Sequence, residues 1–127
     1  LELTRLCAAA MGLHYRVKKN GIGNDDVSLD GIDLYDEGSN MWNRCYSPLS
    51  DDAQAMALVK RFRMDVQGDS VDGLPVWRAY ARTDGIEYHS CHTELNRAIC
   101  ECVAKMQQAK IKAAFEAAQA VDIKARL

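Results

Sequence analysis

The chain has 127 residues, 48% of them hydrophobic and 27% charged, with a net charge of −2. That length points to one domain, and the slightly acidic balance gives no global attraction to nucleic acid or anionic membrane. No apolar run reaches the roughly 20 residues that a membrane helix needs, and five cysteines without a secretion signal argue for reduced thiols rather than a disulfide framework.

Leu3, Leu6, Cys7 and Ala10 recur at helical spacing and Gly12 follows as a stop, so the first helix is expected over about Glu2 to Met11. Leu13 to Val17 reads as a short strand and Asn20 to Asp26 as a loop. Val27 to Leu29 and Ile32 to Leu34 flank Asp30-Gly31, a hairpin signal. Asp36 to Asn40 turns again, and Met41 to Tyr46 extends into Pro48, where an extended segment must stop.

The next segment is the expected keystone. Ser50 is the expected N-cap, Asp51 and Asp52 complement the helix dipole in the first turn, and Lys60, Arg61 and Arg63 close the last turn. Ala55, Met56, Leu58, Val59 and Phe62 form its apolar stripe. Beyond it, Met64 and Val66 alternate with polar residues, and Gly68-Asp69 is expected to turn the chain. Val76 to Arg82 is the strongest strand, with Trp77, Ala79 and Ala81 on one face and Val76, Arg78, Tyr80 and Arg82 on the other. Asp84-Gly85 is a second hairpin signal, returning through Ile86 and Tyr88. Thr93 is expected to cap a last helix whose stripe is Leu95, Ala98, Ile99, Cys102 and Met106. Neither Gly nor Pro occurs from Glu94 to Leu127, yet at about 100° per residue Ile111, Phe115 and Ala118 fall opposite that stripe. Either the helix breaks near Gln107 and Gln108 and folds back, or it runs straight and offers Ile111 and Phe115 to another molecule.

Two stretches carry a resemblance. The first is Tyr46-Ser-Pro-Leu-Ser-Asp-Asp-Ala-Gln-Ala-Met-Ala-Leu-Val-Lys-Arg61. The second is His89-Ser90 followed by Leu95-Asn-Arg-Ala-Ile-Cys-Glu-Cys-Val-Ala-Lys-Met106. Together they resemble the phage alpha-beta-alpha sandwich domain family of small phage and prophage proteins. The resemblance covers roughly the first 110 residues and implies a fold and a phage origin, hence the cytoplasm of a bacterial host. It implies no activity and no catalytic residue.

Chemistry-bearing clusters are few. His89, Cys91 and His92, with Cys100 and Cys102 downstream, invite a zinc or thiol-enzyme reading. However, Cys100 and Cys102, two positions apart on a helix, point about 200° from each other, and no oxyanion turn accompanies Cys91, so core or strand-edge roles are preferred. Asp51-Asp52 is explained by the helix dipole. Asp25, Asp26, Asp30, Asp33, Asp36 and Glu37 form an acidic segment without calcium-loop spacing. It reads as a solvated face or, alternatively, as a surface imitating nucleic-acid charge. Arg78, Tyr80 and Arg82, with Trp77 and Lys18-Lys19, would suit a single strand by stacking and charge, but a structural tryptophan is the simpler reading.

The sequence therefore predicts an α+β, or α/β/α, sandwich: a small, mainly antiparallel sheet with three helices. Residues 1–107 form the domain and 108–127 an Ala-rich helical extension. Leu6, Met56, Val59, Phe62, Trp77, Ile99, Val103 and Met106 are expected in the core. The expected function is that of a non-enzymatic accessory protein with no cofactor, acting on an unidentified host or phage protein or on a second copy of itself. Its candidate surfaces are Ile111, Phe115 and Ala118 on the last helix, and Asp30, Asp33, Asp36 and Glu37. A nucleic-acid module using Arg78, Tyr80 and Arg82 is the alternative, and a metal or thiol enzyme using His89, Cys91 and His92 ranks third.

Overall fold

The computed structural model describes residues 2–13, 15–17, 32–36 and 41–126, with backbone alone at 15–17, 32–36 and 41–45. In chain order the elements are α1 (Glu2–Ala10), β1 (Tyr15–Val17), β2 (Ile32–Asp36), β3 (Met41–Tyr46), α2 (Asp52–Phe62), β4 (Asp65–Val71), β5 (Leu74–Thr83), β6 (Ile86–His92) and α3 (Leu95–Arg126). The protein is α+β, with helices packed on an antiparallel sheet. The described strands divide between two three-stranded antiparallel sheets, β1-β2-β3 and β4-β5-β6, rather than joining one. The Asp30-Gly31 hairpin lies outside the described residues.

α1 ends as Gly12 predicts. The Gly12 amide returns to the Ala9 carbonyl and the Leu13 amide to the Ala8 carbonyl, both at 3.0 Å, which satisfies the last carbonyls of the helix. α2 starts one residue later than expected. Asp51, not Ser50, is the N-cap, and its carboxylate accepts the Gln54 amide. Ser50 and Ser47 instead share a hydroxyl contact at 2.7 Å in the preceding turn. A carboxylate at the cap meets both the orphan amide and the positive end of the dipole. At the other end Arg63 takes the left-handed conformation (φ 50°) usually given to glycine.

β4, β5 and β6 form a meander with two tight turns. Asp72-Gly73 and Asp84-Gly85 both have positive φ at each residue, the geometry that matches the twist of paired strands. Gly68-Asp69 does not turn the chain: Gly68 pairs with Trp77 and Asp69 with Val76 inside the strand. A Cβ on Gly68 would rest 3.6 Å from the Trp77 ring, an ordinary contact distance, so the space beside the indole does not itself require glycine there.

The core forms between this sheet and α3. Ala79 and Ala81 of β5 are buried, and their small side chains let the helix lie close on the sheet. From α3, Ala98, Ile99, Cys100, Cys102, Val103, Ala104 and Met106 are all buried. α1 packs along another side of the same three turns, where the Cys7 thiol donates to the Cys100 carbonyl at 3.6 Å. α2 adds Ala55 and Leu58; full burial of such a leucine contributes about 1.5–3 kcal/mol. Two expected core residues are misplaced. Met56 is 45% exposed because α2 buries a narrower arc than its stripe suggests. Trp77 is 39% exposed, beyond the alanine pair at the end of the sheet. Val59 and Phe62 are half-buried against the core.

Candidate functional site

α3 is unbroken for 32 residues, about 48 Å at 1.5 Å per residue. The fold-back near Gln107–Gln108 does not occur; what changes there is burial. The helix starts at Leu95. The Glu94 carbonyl accepts the Ala98 amide, and the Glu94 amide donates to His92 Nδ1 at 2.9 Å, so the start is held from His92 and not by Thr93. Its first three turns are enclosed by sheet, α1 and α2. From Lys110 onward every described residue is exposed. Ile111 is 51% and Phe115 63% exposed, Ala118 lies on the same side, and Val121 and Ile123 are also open to solvent. An i,i+4 ion pair, Asp122 to Arg126 at 3.2 Å, ties down the last turn.

Where the helix leaves the body, Phe62, Ile86, Tyr88, Met106, Ala109 and Ala113 line an apolar notch of about 380 Å³. Sequence reasoning missed it because its walls come from five elements, Ala10 of α1 and Thr83 of β5 included. Ile86, exposed beside the Asp84-Gly85 turn, was the signal available. A second groove separates the N-terminal ends of α2 and α3. There Asn96 bridges them, donating to Asp52 at 2.8 Å and to the Leu49 carbonyl. Asp51 and Asp52 are thus occupied separately, one as a cap and one by Asn96.

The other predicted residues lie elsewhere. Arg78, Tyr80 and Arg82 sit on the outward face of β5. Arg78 pairs with Asp69 and Arg82 with Glu87, so neighbouring carboxylates balance that face. The Ser70 amide and then Arg78 hold the Asp69 carboxyl below its ordinary range, and Asp69 in turn raises Arg78. Tyr80 stacks obliquely on His89, with ring centroids 6.2 Å apart. His89 and Cys91 face outward on β6, while His92 is committed to the α3 start, so the three do not converge. Among the described residues no three of His, Cys, Asp or Glu are grouped to hold a metal ion. Asp33 and Asp36 belong to the β2 backbone; their side chains, with Asp30 and Glu37, lie outside the described residues.

Three cysteines are packing groups. Cys7, Cys100 and Cys102 are buried, and Cys91 is exposed. A hydrogen bond with Cys100, then burial, pushes the Cys7 thiol up. Burial raises Cys102 to about 11; its thiol donates to the Tyr88 carbonyl at 3.5 Å. Such thiols stay protonated and unreactive. Among the described residues no helix is long and apolar enough to cross a membrane. Comparison of the chain with protein-family models, curated proteins and solved structures gave no significant match.

Proposed function

We propose that this chain is a non-enzymatic phage or prophage accessory protein, working in the cytoplasm of a bacterial host through protein–protein contacts. The exposed second half of α3 is its docking element. The observation that carries this reading is the unbroken helix past Met106, which holds Ile111 and Phe115 in solvent. An apolar stripe on a helix is ordinarily buried against something, and most helical stability in proteins comes from packing of such a face. The phage attribution rests on the resemblance of the Tyr46–Arg61 and His89–Met106 stretches alone.

The test compares the full chain, Phe115→Asp and a chain ended after Gln108. The expected result is a stoichiometric complex, with itself or with a host or phage protein, formed by the full chain and lost in both variants. Circular dichroism and melting should show the body intact in all three. A complex retained by the shortened chain would overturn the reading.

A further inference from the structure

The apolar notch where α3 leaves the body shares its walls with a second cavity. Phe62, Thr83 and Met106 also line a space of about 410 Å³ that Arg61, Arg63 and Arg82 complete. Two neighbouring spaces therefore differ in chemistry. The notch is walled mainly by apolar side chains, whereas the second space carries three guanidinium groups brought together by the end of α2 and by β5.

Little on the protein answers that charge. Among the described residues neither Arg61 nor Arg63 has an ion pair. The Arg61 guanidinium lies over the Phe62 ring, 5.8 Å from its centroid. Arg82 meets Glu87 at 3.4 Å, but the two side chains are 72% and 52% exposed, and such a surface pair contributes little. Among the described residues Asp84 is the one carboxylate lining either space, against the three arginines and Lys110. The α2 dipole favours cations at its end, yet Lys60 and Arg61 already supply them in the last turn. Arg63 stands beyond that turn in the left-handed conformation (φ 50°), where glycine would be unstrained. At a strained position beside a cavity, use rather than stability decides the residue.

We infer that the paired cavity binds a small organic anion, with its apolar body in the notch and its carboxylate or phosphate at the arginines. Both spaces have the size of small-molecule sites, roughly 300–1,000 Å³, and guanidinium forks match the oxygens of either acid. The site is independent of the exposed α3 stripe, because Phe115 lines neither space.

The probes share an octyl chain and differ in the head: octanoate, octyl phosphate, octanol and octylammonium. Acetate and inorganic phosphate supply the heads without the body. Each is titrated into the full chain by isothermal calorimetry, at low salt and below micelle formation. Octanoate or octyl phosphate should bind one to one, at least about tenfold more tightly than octanol, octylammonium or the bare acids. The tighter of the two identifies the head group, and added salt should weaken it. Arg63→Gly should weaken binding about fivefold while raising the melting temperature, a split that a merely structural arginine would not give. Ile86→Asp, at a position 54% exposed, should abolish binding, and Phe115→Asp should leave it unchanged. Equal affinity for every head, no binding of any octyl compound, or undiminished binding by Arg63→Gly overturns the inference. An acidic peptide with a leucine anchor that binds where the octyl acids do not would give the site to a protein segment, and would overturn it as well.

Discussion

Single side chains in the core set a pH dependence. Tyr46 is raised by burial and then by its neighbours Cys7 and Cys100; Cys7 and Cys102 are raised as well. Each is a neutral acid whose folded pKa exceeds its unfolded one, so the native state keeps protons that the unfolded chain releases. Stability is therefore fully present below the ordinary thiol value of 9.0 and falls as pH rises through the window up to about 11 set by Cys102. Urea midpoints at pH 8 and pH 10.5 should show that fall, and Tyr46→Phe should reduce it. Among the described residues the buried Tyr46 hydroxyl has no hydrogen-bond partner. Tyr46→Phe should thus leave stability unchanged or raise it by up to about 1 kcal/mol, because desolvation of an unpaired hydroxyl is avoided. In timed alkylation read by mass spectrometry, Cys91 should label in the native state, whereas Cys7, Cys100 and Cys102 should wait for unfolding.

The ends of α2 carry opposite predictions at the level of the element. Asp51→Ala removes the carboxylate that holds the Gln54 amide and should cost about 0.5–2 kcal/mol, with Ser50→Ala costing less. Arg63→Gly relieves a left-handed non-glycine residue and should stabilise by up to about 1 kcal/mol. Denaturant melts of the three variants give both signs in one experiment. These ends also show what the chain's letters disclose. Gly12, the Asp84-Gly85 turn and the alternation through Ala79 and Ala81 were legible because each follows from local backbone chemistry. Ser50 and Asp51 were both competent caps, and only the Ser47–Ser50 turn decides between them. Gly68 looked like a turn because glycine followed by aspartate is a local turn signal, whereas its place in the strand is set by pairing with Trp77 of the next strand.

For the whole molecule, α2 was expected to be the centre, but the first half of α3 takes that place. Periodicity could not say so: it ranks stripes by clarity, whereas centrality depends on how many elements pack around a helix. The change of stripe past Met106 was legible, and its cause was not. Within the body α3 is used by the sheet, by α1 and by α2, and beyond it only the side that faces α1 continues as an apolar stripe. Ile99→Ala, fully buried in the core beside α2, should cost about 2–5 kcal/mol. Ending the chain after Gln108 should shift the melting temperature little, since from Lys110 onward every described removed residue is exposed and only Ala109 is partly buried. Thermal melts of the two chains side by side provide the comparison.

The bond between Cys7 and Cys100 joins positions 93 apart in sequence, whereas the two Asp-Gly hairpins are local. Loop closure over such a span is slow relative to hairpin formation. A ribosome would therefore release α1 and the whole meander before the helix that seals them has been synthesised, leaving the alanine face of β5 bare in the interval. In stopped-flow refolding, Gly73→Ala and Gly85→Ala should slow the forward rate. Ala8→Gly should instead hasten unfolding, marking the docking of α1 as the last event.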